Sequence, residues 1–114
     1  MKRIIKAFGY SLAGLRAAFK DEAAFREECY LAIILVPIAL FIDVTTIERI
    51  LLIGTIGLVF LTELINSAIE AAIDRIGPEP NDLSKKAKDC GSAAVLIALL
   101  ISGFTWITIL ISLI

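Results

Sequence analysis

Twelve residues, Glu63-Leu-Ile-Asn-Ser-Ala-Ile-Glu-Ala-Ala-Ile-Asp74, constrain this chain more than any other stretch. They continue an apolar segment, Ile50 to Thr62, that has no charge and no loop signal. On a helix of about 3.6 residues per turn, Glu63, Asn66, Glu70 and Asp74 fall within an arc of roughly 80°. Three carboxylates and an amide therefore share one face of an otherwise apolar helix. Counted from Ile50 at about 1.5 Å per residue, Glu63 lies some 20 Å in and Glu70 some 30 Å in. Against a hydrocarbon slab of about 30 Å, Glu63 is inside lipid and Glu70 is at its edge. An ionisable group at that depth costs at least a few kcal/mol and marks a functional site by default. The structural alternative is polar glue between helices, which suits Asn66 alone better than a stripe of mutually repelling acids.

The rest of the composition agrees with a bilayer. The chain is 59% hydrophobic over 114 residues with a mean hydropathy of +0.91, more apolar than a typical soluble domain. The expected class is an all-α integral membrane protein. Three spans are expected, over residues 22–42, 47–74 and 87–113, preceded by a surface helix over 1–20 and with a cytoplasmic loop over 75–86. In the surface helix Ile4, Ile5, Phe8, Leu12, Leu15 and Phe19 recur on one side and Lys2, Arg3, Lys6, Arg16 and Lys20 lie elsewhere, the pattern of a helix lying in the interface. Asp21, Thr45 or Thr46, and Ser84 are the expected N-caps of the three helices that follow. Ten of the eleven basic residues fall before the first span or between the second and third, leaving Arg49 on the other side. The N-terminus is therefore expected in the cytoplasm and the C-terminus outside it. Cys29 and Cys90 lie toward the cytoplasmic side and read as packing residues.

Absences narrow the chemistry. There is no histidine, no G-x-x-x-x-G-K-[ST] phosphate loop, no G-x-G-x-x-G and no cysteine cluster, which removes histidine triads, the common nucleotide loops and zinc sites. Nothing in the pattern points to nucleic acid. What remains is a set of carboxylates at a membrane surface beside Lys88 and Asp89. Such oxygen-rich sites suit magnesium, held by one or two carboxylates together with nucleotide phosphates. Glu22 and Glu28, near the mouth of the first span, are either further acids of this site or helix-dipole partners. Glu22, Arg26 and Cys29 share one face there, and Glu28 lies off it. In the third span Ala94, Ala98 and Ser102 repeat every four residues, a pattern for close helix packing.

The stretch Glu63 to Gly77, the segment Ala87-Lys-Asp-Cys-Gly-Ser-Ala-Ala-Val-Leu96, Arg3-Ile-Ile-Lys-Ala, and Gly14-Leu-Arg-Ala-Ala-Phe followed by Glu22-Ala-Ala-Phe-Arg26 resemble the prokaryotic membrane-integral diacylglycerol kinases. The resemblance covers nearly the whole chain. It implies a homotrimer of three-span subunits in the bacterial inner membrane, with active sites shared between neighbours. It also implies transfer of the γ-phosphoryl of MgATP to diacylglycerol, giving phosphatidic acid. By the same resemblance Glu63 matches the catalytic base and Asn66 the active-site amide, while Glu22 and Glu70 match the magnesium ligands. Arg3, Tyr10, Glu79, Lys88 and Asp89 match nucleotide contacts. Arg3, Ser11, Arg16, Glu28 and Ser92 fall at or near positions tied to the lipid or to support of the site. Pro80 and Asn81 depart from the family, whose best-known members carry an aromatic residue and a histidine there. Two other readings remain open: an undecaprenol kinase on the same scaffold, and a small oligomeric proton-coupled transporter with Glu63 as proton carrier.

Overall fold

A computed structural model describes all of residues 1–114. It consists of four helices and no strands: α1 (Lys2–Asp21), α2 (Ala23–Phe41), α3 (Thr46–Ile76) and α4 (Asp82–Ser112). Two of them, α3 and α4, are long and apolar enough to cross a bilayer. The 19-residue α2 carries Arg26, Glu27 and Glu28 near its start and is uncharged only from Cys29 onward. The apolar helices suggest a membrane protein, and burial agrees. Only 11 of 114 residues are buried, whereas Ile33, Ile34, Leu100, Phe104 and Ile107 are each at least 60% exposed. So much apolar surface needs lipid or further protein against it.

Both ends of α2 turn on an arginine. Glu22, in extended conformation, breaks the chain between α1 and α2. Arg26 Nη1 donates to the carbonyls of Phe19 and Lys20, both at 2.8 Å. Those are orphan acceptors at the end of α1, where a cation also meets the negative end of the helix dipole. At the other corner Arg49 repeats the device. Its Nη1 donates to Ala39, Leu40 and Ile42 carbonyls at 2.6, 2.9 and 3.2 Å, and its Nη2 to Val44 at 3.3 Å. Arg49 is thus occupied in closing α2. Thr45 then starts α3 with a capping box, accepting from Glu48 N at 3.1 Å while Glu48 Oε1 accepts from Thr45 N at 3.0 Å.

Two expected caps are corrected. Asp21 ends α1 instead of starting α2, and the residue before α2 is Glu22, which makes no side-chain cap bond. Asn81, not Ser84, caps α4: its Oδ1 accepts from Leu83 N at 2.9 Å and Ser84 N at 3.1 Å. Asparagine outranks serine here because the chain is already turning at Pro78 and Pro80, so helix entry falls three residues earlier. The segment between α3 and α4 is accordingly shorter than the expected loop, residues 77–81. Gly77 adopts φ +152°, a value that favours glycine, and a Cβ there would collide with the Glu79 carboxylate.

The helices are tied at two levels. At the end remote from the acid stripe, Ala39, Leu52, Trp106 and Ile109 form the buried core, with Trp106 Nε1 donating to the Leu52 carbonyl at 3.0 Å. Midway, Phe25 of α2 meets Phe60 of α3 edge to face at 5.4 Å between ring centres. Ala98 is the buried member of the expected small-residue repeat, while Ala94 is exposed and Ser102 half-buried. These contacts fix α3 against α2 and α4, and so fix what surrounds Glu63.

Candidate carboxylate site at the α2–α3–α4 junction

Glu63 is the buried acid of the stripe, 7% exposed. Asn66 and Glu70 are half-buried one and two turns on, and Asp74 is exposed. That gradient follows from the helix leaving the bundle at its C-terminal end. Asn66 Nδ2 donates to Glu70 Oε1 at 3.0 Å, which orients the Glu70 carboxylate. The amide's other atom, Oδ1, is buried without a partner and faces Gly91 of α4, where a Cβ would collide with it. A side chain at 91 would push α4 away, so the glycine sets the closeness of α3 and α4 beside the site. Sequence reasoning did not single out Gly91. Its signal is a glycine inside an uninterrupted helix, which costs about 1 kcal/mol without a packing reason.

On α2 the Glu28 side chain is half-buried, and its Oε2 is shielded without a hydrogen-bond partner. Glu22 lines a cleft of about 590 Å³ between α1 and α3, together with Ser11, Asp21, Ser67, Ala68 and Ala71.

Lys88 and Asp89 separate. Lys88 Nζ bonds Asp74 Oδ1 at 2.7 Å, joining α4 to the acid stripe, whereas Asp89 faces away and bonds Lys85 at 2.6 Å. Adjacent helical residues diverge by about 100°, so only one can face α3. Asp89 also holds the Lys85 ammonium above its ordinary pKa.

The remaining candidates lie elsewhere in the chain. Arg3 and Tyr10 sit with Lys2 and Lys6 on a shallow, exposed groove of α1. Arg16 borders an apolar hollow of about 600 Å³ formed with Leu15, Phe19, Phe25, Cys29 and Phe60. Ser92 and Glu79 are exposed. One chain thus gathers Glu28, Glu63, Asn66, Glu70, Asp74 and Lys88, and leaves Arg3, Tyr10, Ser92 and Asp89 on other surfaces.

No three acids or thiols of the chain form a metal cage. Magnesium does not need one, since one or two carboxylates and phosphate oxygens satisfy it. Glu70 and Glu22 are hard-oxygen donors of the kind that requirement takes, Glu70 with its carboxylate oriented by Asn66 and Glu22 on the cleft between α1 and α3.

Fold and site together define a helical membrane protein with an acid cluster flanked by a lysine near one end of its helices. A family model, "Prokaryotic diacylglycerol kinase", matches residues 9–110. Over 108 residues the chain is 55% identical to the diacylglycerol kinase of Escherichia coli, covering 95% of this chain and 88% of that one. It is 52% identical to the Haemophilus influenzae diacylglycerol kinase over 106 residues, 93% of this chain and 90% of the relative. With the Pseudomonas aeruginosa diacylglycerol kinase it shares 51% identity over 111 residues, 97% and 90% of the two chains. The chain belongs to the prokaryotic diacylglycerol kinase family.

Proposed function

We infer that this chain is a diacylglycerol kinase, which transfers the γ-phosphoryl of MgATP to the free hydroxyl of diacylglycerol and yields phosphatidic acid and ADP. The observation that carries the chemistry is a buried Glu63 on the same helix face as the Asn66–Glu70 pair. Family membership carries the substrate.

The lipid hydroxyl lies just under the headgroups and ATP stays in water, so transfer takes place at the cytoplasmic boundary. Glu63, on the lipid side of that boundary, accepts the hydroxyl proton as the oxygen attacks the γ-phosphorus. The bond from the γ-phosphorus to the β–γ bridging oxygen breaks, and ADP leaves with that oxygen. Asn66 holds the Glu70 carboxylate in position. Glu22 and Glu70 would hold magnesium, which when bound offsets charge on the phosphates. Lys88, already at the edge of the acid stripe, supplies a further positive charge for the transferring group.

The full architecture proposed is a homotrimer of three-span subunits in the bacterial inner membrane, with the N-terminus cytoplasmic and the C-terminus periplasmic. In it α2 is the first span despite its three early charges, because Arg26 is spent on the end of α1 and the acids face the site or the interface. The isolated chain leaves Arg3, Tyr10 and Asp89 away from Glu63. Sites shared between neighbours account for that, each subunit presenting its nucleotide contacts to the next.

The test is a side-by-side assay of diacylglycerol and undecaprenol with ATP and magnesium in mixed micelles. Phosphorylation of diacylglycerol with clear preference is expected. A preference for the polyprenol overturns the substrate assignment, and proton flux without ATP turnover overturns the kinase.

A further inference from the structure

We propose that Asp74 is a positioning residue for Lys88: it draws the ammonium about one helical turn to the water side of Glu70, which holds that charge where nucleotide phosphates arrive and keeps it off the Glu70 carboxylate. The proposal rests on Lys88 meeting phosphate and Glu70 meeting magnesium, and its test separates it from the lipid-kinase reading.

The register of the two helices carries it. Lys88 meets Asp74, Gly91 meets Asn66 and Trp106 meets Leu52, so α4 runs back along α3. A Cβ at Gly91 would lie 3.8 Å from the Asn66 Cα, which sets these two residues level. Lys88 precedes Gly91 by one turn and stands about 4.5 Å closer to the segment that joins the helices. In the same direction Glu70 is about 6 Å and Asp74 about 12 Å beyond Asn66. The Lys88 backbone is therefore nearly level with Glu70, yet its Nζ bonds Asp74 Oδ1 at 2.7 Å. Helical side chains lean toward their own N-terminus, which sends Lys88 toward the water and Asp74 back to meet it.

The pair does little for stability. Its side chains are 44% and 67% exposed, and an ion pair so open to water adds almost nothing to folding. What it fixes is the place of a long and flexible side chain. Asn66 occupies Glu70 Oε1 at 3.0 Å, so Oε2 is the oxygen left for a cation. An ammonium seated there would compete with a divalent ion. Held by Asp74 through one N–H, Lys88 keeps its other two donors for phosphate oxygens. Asp89 cannot stand in for Asp74, because it turns away and bonds Lys85. Asp74 touches neither phosphate nor metal in this scheme; it acts through Lys88.

The test measures binding before turnover. The magnesium complex of a non-hydrolysable ATP analogue is titrated onto the full chain in lipid vesicles without diacylglycerol. Asp74→Ala should weaken binding by about 10-fold, since the freed lysine must then be ordered and drawn off Glu70. Asp74→Asn keeps the acceptor oxygen and should stay within about 3-fold of the unaltered chain. In a Lys88→Gln chain, Asp74→Ala should change binding by less than about 2-fold, because the residue it acts through is gone. In turnover the loss in Asp74→Ala should appear in the KM for MgATP, with the KM for diacylglycerol and the unfolding midpoint unchanged. Unchanged binding in Asp74→Ala overturns the proposal, and tighter binding makes Asp74 a competitor for Lys88 instead. Equal losses in the Ala and Asn variants, or a loss that persists in the Lys88→Gln chain, overturn it as well. A chain that binds the nucleotide in the expected pattern yet phosphorylates no diacylglycerol upholds Asp74 and refutes only the lipid-kinase reading. A chain that does not bind it overturns both.

Discussion

Replacing Gly91 by alanine tests whether the closeness of α3 and α4 sets the site. An alanine Cβ would collide with Asn66 Oδ1 and lie 3.3 Å from Asn66 Cγ and 3.8 Å from its Cα. The side chain is too short to swing clear without moving its amide. Either Asn66 rotates and gives up its 3.0 Å bond to Glu70, a loss of about 0.5–1.5 kcal/mol, or the helices separate at an overpacking cost of about 1–3 kcal/mol. Alanine's better helix propensity returns about 1 kcal/mol. The net change in stability is therefore small, from about zero to about 2 kcal/mol of destabilisation, read from denaturant unfolding in micelles. The larger effect falls on turnover, because a shift of about 1 Å in an aligned site costs on the order of 10²-fold. Gly54→Ala is the control: nothing lies within 4 Å of its Cβ, so stability should hold or rise and activity should persist. A Gly91→Ala protein with unaltered kcat and stability would refute the reasoning.

Three further outcomes follow from the same geometry. Arg49→Lys keeps the charge but loses the fork that reaches four carbonyls; unfolding should become easier by about 1–2 kcal/mol, with kcat unchanged. Lys88→Gln removes the bond to Asp74 and the positive charge proposed to meet the nucleotide phosphates, so the KM for MgATP should rise while the unfolding midpoint stays put. Chelation of magnesium should abolish phosphoryl transfer, and added magnesium should restore it, without change in the helical circular dichroism signal.

The sequence and the structure agree most where one signal decides. An uncharged run ending in acids at i, i+3, i+7 and i+11 dictates a long helix with a polar stripe, and α3 carries that stripe from buried Glu63 to exposed Asp74. The start of α3 is narrowed by the sequence to Thr45 or Thr46, and the structure settles on Thr45, where Glu48 three residues on closes a capping box. Legibility fails where the answer depends on a second helix. An apolar α2 has no periodic face to say which side meets α3, and the structure settles it by setting Phe25 against Phe60. Arg26 and Arg49 read as topology signals; their side chains fold back onto carbonyls five to ten residues away, which no periodicity encodes. Lys88 and Asp89, adjacent in the chain, were expected on one surface, and the turn of α4 sends them to two.

The most direct measurement is single-turnover phosphoryl transfer from MgATP to diacylglycerol by the Glu63→Gln protein. This variant preserves the shape of the buried side chain and removes its ability to accept a proton. The account predicts a rate lower by about 10²–10⁴-fold, with nucleotide and lipid binding intact. Transfer at the rate of the unaltered protein would contradict it.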